Sequence, residues 1–194
     1  MSSAAVPTPA ELSAPDINHL TFVGSTTTGR SILQATATNI VPTKIELGGK
    51  SAALVFDDAD VGAAAYALSR SIVVNAGQKC NALSRVIVDR RVVDAFVEAA
   101  REAMDAVRIG AWDIDVDMRP VVNATQRDRV LGFIERAKSE GASTVTGGCR
   151  ADDHDRGYCV APSLFDRAEN SMEVPERRSS ARFLRSSLPT VTRI

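Results

Sequence analysis

The sequence predicts an α/β protein with a mainly parallel sheet, because strand-like and helix-like segments alternate along the chain. Two observations carry this prediction. Residues 19–23 form a β-prone run that stops at Gly24 and Ser25, and a helical apolar pattern follows. The composition, with 44% hydrophobic and 24% charged residues among 194, is typical of an ordinary globular chain and excludes a disordered, fibrous or membrane protein.

The first half of the chain contains two further strand candidates and a capped helix. The helix after Ser25 has its apolar positions at Ile32, Leu33 and Ala35. Residues 43–47 and 51–56 are predicted strands, and the glycines at 48 and 49 between them permit a tight backbone path. Asp60 is a predicted N-cap for a helix that ends at Val74.

The second half continues the alternation. Residues 85–88 form a predicted strand, and the helix after it has a predicted apolar face of Val92, Ala95, Phe96, Ala99, Ala103 and Val107. Asn123 and Gln126 resemble a capping box, and Gly141 ends a helix whose predicted buried positions are Val130, Phe133, Ile134 and Ala137. Val145 and Val160 mark the last two strand candidates.

Charge and cysteine usage exclude several classes of protein. The net charge of -1 argues against a generic nucleic-acid binder, and no leader or membrane segment is recognisable, so we expect a cytoplasmic protein. The three cysteines, Cys80, Cys149 and Cys159, contain no C-x-x-C pair, which argues against a disulfide framework or a zinc site. The only histidines, His19 and His154, lie far apart, so we expect no metal site and no Ser-His-Asp triad.

The first candidate site is residues 24–31 (GSTTTGRS), where a strand turns into a helix. Backbone N–H groups and the positive end of a helix dipole at such a turn suit a phosphate group. The segment also matches a P-loop except that Arg30 replaces the required lysine. Asp57 follows an apolar strand, as does the aspartate that binds magnesium in P-loop proteins. A P-loop-like nucleotide-binding protein is therefore an alternative, and a plain Ser/Thr-rich helix cap is the non-functional interpretation.

The second candidate is Glu46, at the end of an apolar strand and beside two glycines. We expect its carboxylate to be partly desolvated there, which favours the role of general base. The alternative is a salt bridge with Lys44 or Lys50.

The third candidate is Cys80, which follows a glycine-containing loop near a possible helix start. A thiol in such a place can act as a nucleophile, whereas a lone cysteine is more often a small buried hydrophobe. Cys149 and Cys159 have no comparable context.

Together the three candidates resemble the aldehyde dehydrogenase superfamily. Residues 22–30 (FVGSTTTGR), 46–51 (ELGGKS) and 77–80 (GQKC) match its motifs in order and spacing, including the 34-residue step from Glu46 to Cys80. The resemblance extends over about residues 15–176 and makes the P-loop alternative improbable.

The resemblance implies oxidation of an aldehyde to a carboxylic acid with NAD or NADP. By matching position, Cys80 is the nucleophile that forms a thiohemiacetal and then a thioester, and Glu46 is the general base that activates water. The cofactor-binding positions are Gly24, Ser25, Thr28, Gly29 and Leu47, although Thr28 stands where the family often has an aliphatic residue. The implied fold is a partial Rossmann-like cofactor domain joined to a partial catalytic domain.

The implied domains are a loose lead-in at residues 1–15, the C-terminal part of a cofactor domain at 16–48, part of a catalytic domain at 49–176 and a basic tail at 177–194.

Family members are more than twice this length, so we expect the chain by itself to have little or no activity, and a non-catalytic interaction fragment is a further alternative. The expected partner is a small-molecule aldehyde, with no nucleic acid and no membrane. The family is typically homo-oligomeric, but its oligomerisation segment has no counterpart here.

The tail differs in composition from the rest of the chain. It contains five arginines and no acidic residue, whereas residues 1–176 carry 18 basic and 24 acidic side chains. At 177 the family usually reads Glu-Ile-Phe-Gly-Pro-Val, and one choice of codons for residues 177–183 encodes that peptide in another reading frame. We therefore hypothesise that the tail is frameshifted; codons in the gene that are incompatible with that frame would rule this out.

Overall fold

The computed structural model describes residues 17–49, 51–151, 157–168 and 185–186. The lead-in and most of the basic tail lie outside these residues. Contacts between residues divide the chain into two compact units, residues 1–49 and 50–194. In the described part of the chain, no helix is long and apolar enough to cross a membrane.

The first unit is a strand–helix–strand arrangement, as predicted. It contains β1 (Leu20–Gly24), α1 (Thr26–Ala37) and β2 (Thr43–Leu47), and the two strands pair in parallel. Ile32 and Ala35 of α1 are buried against apolar side chains of both strands, whereas Leu33, predicted on the same face, is exposed. Burial of this small apolar face is what holds the helix against the strand pair.

The second unit begins with another parallel pair. It contains β3 (Ala52–Val55), α2 (Val61–Val73), a short 3-10 turn (Val74–Gly77), β4 (Arg85–Val88) and α3 (Val93–Asp105), with β3 parallel to β4. The Asp60 carboxylate accepts a hydrogen bond from the N–H of Ala63 at 3.0 Å and caps α2, as predicted.

The buried face of α3 is rotated from the predicted one. Phe96, Ala100 and Met104 are fully buried in the main core, at a spacing of four residues, while Ala95 is exposed. Val92, Ala99 and Val107 pack at the edge of that core. Apolar residues of α3 are spaced so that the helix could bury the predicted face or a neighbouring one. Packing against α2 buries the face that carries the larger Met104 side chain.

The remaining elements are α4 (Ala124–Ser139), β5 (Ser143–Thr146), β6 (Leu164–Asp166) and β7 (Arg185–Ser186). Of these, α4 and β6 contribute side chains to a second core. Asn123 Oδ1 caps α4 by accepting from the N–H of Gln126 at 2.8 Å. The four predicted positions of α4 are all buried, in a core that also includes Phe165: Val130, Phe133, Ile134 and Ala137.

The sheet pairings are mostly parallel. β5 and β6 pair antiparallel, whereas β6–β7, like the two pairs above, is parallel. Val145 lies in β5 as predicted, but Val160 forms only an isolated bridge with Arg150, and the strand falls at β6 instead. β6 is only three residues long, too short for a periodic signal to appear in the sequence.

Asp117 links α2 to the loop that follows α3. It accepts hydrogen bonds from Arg70 Nη1 at 2.9 Å and from the Arg108 N–H at 3.1 Å. The Arg108 backbone hydrogen bond, followed by that from the Arg70 side chain, lowers the pKa of Asp117 below its usual value of 3.8. A lowered pKa in the folded state stabilises the fold at pH values above the unfolded pKa, and this contribution is lost as the pH falls through the folded pKa.

We therefore expect Asp117→Asn to remove part of the acid sensitivity of the fold. Urea midpoints measured between pH 7 and pH 3 should fall less steeply for this variant than for the wild type below about pH 4, the usual range for Asp. Asp115→Asn is the matched control, because the Asp115 side chain is 99% exposed and lies 4.0 Å from Arg108 Nη2. Equal slopes for the wild type and Asp117→Asn would contradict the expected linkage.

Candidate active site

Predicted site residues of the first unit meet at the carboxyl ends of β1 and β2. The parallel register pairs Gly24 with Leu47 and Val23 with Glu46. α1 begins two residues after Gly24. In open α/β sheets, ligands bind outside the carboxyl ends of the strands, so the register places Gly24, Glu46 and Leu47 at the edge where a ligand is expected.

The start of α1 is organised by Ser25. Its Oγ accepts the N–H of Thr28 at 3.1 Å and lies 2.8 Å from Thr28 Oγ1. The first turn contains no acidic residue, and Ser25, Thr26 and Thr27 are exposed. An exposed helix start with no competing carboxylate fits the pyrophosphate of a dinucleotide.

Gly29 has a packing role in this unit. It is buried in α1, and a Cβ at this position would lie 2.7 Å from Leu47 Cδ2. The absence of a side chain therefore lets α1 approach the end of β2 closely. Gly29 and Leu47, both predicted as cofactor-binding residues, therefore lie next to each other.

Glu46 is more exposed than expected. Its side chain is 62% exposed, and Oε1 lies 3.9 Å from Lys44 Nζ. The expected desolvation is therefore wrong for this structure. The reason is the alternation of β2: Ile45 faces the core beside α1, which directs Lys44 and Glu46 to the opposite face. Lys50, the other predicted partner, lies outside the described residues.

Cys80 lies in the second unit, in the loop between the 3-10 turn and β4, and is exposed. Cys149 is also exposed, whereas Cys159 is buried. The turn before Cys80 is left-handed: Asn75, Ala76 and Gly77 have φ values of 52°, 56° and 71°. Non-glycine residues rarely adopt this conformation, so the chain before the thiol is held by specific contacts.

Those contacts depend on Gln78, a residue that the sequence analysis did not single out. Gln78 Nε2 donates to Asn75 O at 3.1 Å, and Gln78 Oε1 accepts from the N–H of Val122 at 3.1 Å. The only sequence feature that could have drawn attention to Gln78 was its position two residues before the candidate nucleophile Cys80. Its partner, 44 residues away in the sequence, was not detectable from local patterns.

Asp57 and Arg30, which suggested a P-loop, belong to different compact units. Asp57 forms an ion pair with Arg91 in the second unit. Arg30 is exposed on α1 of the first unit. Across residues 17–49, 51–151 and 157–168, no group of three or more histidine, cysteine or acidic side chains could hold a metal ion.

The fold and these sites define a class: an α/β protein with a dinucleotide-type strand–helix–strand unit followed by a unit that presents an exposed cysteine. The family model described as "Aldehyde dehydrogenase family" matches residues 8–177. The chain belongs to the aldehyde dehydrogenase family.

Curated relatives agree with this assignment. The chain is 38% identical over 161 residues to a mitochondrial aldehyde dehydrogenase of Leishmania tarentolae, covering 82% of this chain and 32% of the relative. It is 36% identical over 156 residues to a 2-aminomuconic 6-semialdehyde dehydrogenase of a Pseudomonas species, covering 78% of this chain and 32% of that protein. The chain thus spans about a third of the length of these relatives.

Solved structures show the same fold. An aldehyde dehydrogenase of Mycobacterium tuberculosis complexed with NAD+ superposes with a TM-score of 0.86 at 34% identity, covering 91% of this chain and 37% of that one. A betaine aldehyde dehydrogenase of Staphylococcus aureus in complex with NAD+ has a TM-score of 0.87 at 28% identity, covering 91% and 36%. The α/β fold class predicted from the sequence is confirmed.

Proposed function

We propose that this chain carries the nucleophile and the general base of an aldehyde dehydrogenase, which oxidises an aldehyde to a carboxylic acid with NAD+ or NADP+. The observation that carries the proposal is the exposed Cys80 thiol, placed three residues after Gly77, the end of a left-handed turn that its own hydrogen bonds hold. An accessible thiol close to a turn that hydrogen bonds hold in place supports covalent catalysis.

Cys80 acts first in this proposal. Its thiolate attacks the carbonyl carbon of the aldehyde, a C–S bond forms, and the carbonyl electron pair moves to oxygen. The backbone N–H of Cys80 donates one hydrogen bond to that oxyanion. The exposure of Cys80 supports the access that an aldehyde needs.

The dinucleotide binds at the carboxyl ends of β1 and β2. Ser25 and Thr28 at the start of α1 would hold the pyrophosphate next to Gly24, and Gly29 lets α1 pack closely against Leu47. Leu47 would lie beside the nicotinamide end. When bound, the dinucleotide would supply the hydride acceptor: the adduct on Cys80 would lose a hydride from its carbon and a proton from its oxygen, which leaves a thioester.

Glu46 acts last. It takes a proton from the water that attacks the thioester carbonyl, the C–S bond breaks, and the carboxylic acid leaves Cys80 as a thiolate. The 62% exposure of the Glu46 side chain supports access of water to this carboxylate. Lys44 at 3.9 Å is a weak competitor because exposed ion pairs of this length contribute little.

The two compact units correspond in this proposal to two domains. The first, which ends at Gly49, is the C-terminal part of a cofactor-binding domain, and the second begins the catalytic domain. The family match ends at residue 177, which supports a different origin for the arginine-rich tail, such as the alternative reading frame.

We also propose a cytoplasmic location. The exposed thiols of Cys80 and Cys149 are suited to a reducing compartment. One relative is named as mitochondrial, so fractionation of cells with a matrix marker is the relevant test. Recovery in the matrix fraction would contradict this location.

Thiol labelling tests the proposed nucleophile. We expect iodoacetamide at neutral pH to alkylate Cys80 faster than Cys149, because the proposal gives only Cys80 a nucleophilic role. Both thiols are exposed, so a difference in accessibility does not account for a difference in rate. Peptide mapping by mass spectrometry after timed quenching gives both rates in one sample. An aldehyde in excess should slow labelling of Cys80 more than that of Cys149.

The control is Cys80→Ala, which should leave the labelling rate of Cys149 unchanged. Equal rates for Cys80 and Cys149 in the wild type would contradict a nucleophilic role for Cys80.

A further inference from the structure

The turn before Cys80 is strained and buried at its centre. Asn75 and Ala76 both have φ values above 50°, and Ala76 is fully buried. A left-handed alanine costs about 1–2 kcal/mol relative to a right-handed one. Neighbouring contacts must therefore select this conformation, because the local backbone preference opposes it.

Asn75 and Gln78 hold the turn closed through a reciprocal amide clasp. Asn75 Nδ2 donates to Gln78 O at 3.1 Å, and Gln78 Nε2 donates to Asn75 O at 3.1 Å. Asn75 O also accepts the backbone N–H of Gln78 at 3.0 Å. The clasp encloses Ala76 and Gly77, and of these Ala76 is the one whose Cβ opposes a positive φ.

Gln78 also connects this turn to a distant segment. Its Oε1 accepts the N–H of Val122 at 3.1 Å, and the adjacent Val121 N–H donates to Tyr158 O at 3.1 Å. Both ends of the Gln78 amide are therefore used, one for the turn and one for the segment before α4. This arrangement fixes the orientation of the Gln78 amide. It also connects the backbone two residues before Cys80 to the segment at Val122.

We propose that Gln78 is a positioning residue for Cys80. By closing the left-handed turn and anchoring it to Val122, Gln78 restricts the positions that the thiol samples. This inference rests on the proposed nucleophilic role of Cys80. It assigns to Gln78 no contact with substrate or cofactor.

Two substitutions separate the parts of the clasp. Gln78→Met keeps the length of the side chain and removes both hydrogen bonds. Gln78→Glu keeps an acceptor for Val122 but loses the donor to Asn75 O at neutral pH. We expect Gln78→Glu to slow alkylation of Cys80 by about fivefold, the factor corresponding to one ordinary hydrogen bond, and Gln78→Met, which loses both bonds, to slow it further, with no change at Cys149.

The pH profile distinguishes positioning from a general loss of structure. A protonated carboxyl regains an O–H donor, so the ratio of the Gln78→Glu rate to the wild-type rate should rise toward one as the pH is lowered through about 4.3, the usual pKa of Glu. The ratio for Gln78→Met should stay constant with pH. Thermal unfolding of each variant reports folding separately.

The outcomes are distinguishable. If wild-type Cys80 reacts no faster than Cys149, the proposed nucleophile fails, whatever Gln78 does. If wild-type Cys80 is fast and both folded variants retain its full rate, the positioning role is overturned. If Gln78→Met does not fold, Gln78→Glu decides: recovery of its rate ratio at acidic pH supports the inference, and a ratio independent of pH overturns it.

Discussion

Replacing Glu46 with glutamine is expected to slow hydrolysis of an acyl group on Cys80 by about 100-fold, the lower range for removal of a general base. Glutamine has nearly the same shape but cannot take a proton from the attacking water. p-Nitrophenyl acetate loads Cys80 directly: the thiolate attacks the ester carbonyl, a thioester forms and p-nitrophenolate leaves. This route tests deacylation without the dinucleotide.

The measurement is the lifetime of the acetyl adduct, followed by intact mass after rapid removal of excess ester. Cys80→Ala should show no long-lived adduct at this position, and Lys44→Gln is the matched control for the charge beside Glu46. Because the Lys44 contact is exposed and 3.9 Å long, Lys44→Gln should leave the lifetime close to that of the wild type. Equal lifetimes for the wild type and Glu46→Gln would remove Glu46 from the proposed reaction.

Gly147→Ala is expected to destabilise the second unit by about 3 kcal/mol, from backbone strain and overpacking together. Gly147 follows β5 with φ at +69°, and a Cβ there would lie 1.9 Å from the backbone oxygen of Pro162. The Pro162 oxygen belongs to the backbone, so it cannot rotate away from the added Cβ as a flexible side chain could. The next residue, Gly148, donates its N–H to Ser163 Oγ at 2.8 Å, so a shift at Gly147 would also disturb that buried bond.

Gly141→Ala is the matched control for strain without a clash. Gly141 has φ at +98°, but nothing lies within 4 Å of its added Cβ. We expect a loss of about 1–2 kcal/mol from the backbone conformation alone. Urea unfolding with an unchanged slope gives both values, and equal losses at the two glycines would show that the Pro162 contact relaxes at little cost.

The local elements were predictable from the sequence because short-range chemistry determines them. Ser25, Asp60 and Asn123 each cap the helix that follows, and in each case the side-chain oxygen accepts an N–H three residues later. The four buried positions of α4 follow directly from its apolar spacing. The family was also recognisable, because its motifs are contiguous and lie at consistent separations along the chain.

Other features depended on contacts between residues far apart in the sequence. The spacing of α3 allowed more than one apolar face, and packing against α2 buried Ala100 while leaving Ala95 exposed. The motif drew attention to Glu46, but the alternation of β2, with Ile45 partly buried beside α1, decided its exposure.

The sequence by itself determined the α/β elements, the family and the candidate nucleophile Cys80, because these follow from local propensity and contiguous motifs. Only the tertiary structure assigned a role to Gln78, whose acceptor oxygen bonds to the Val122 N–H 44 residues away. A hydrogen bond depends on distance and direction in space, and residue spacing along the chain carries neither.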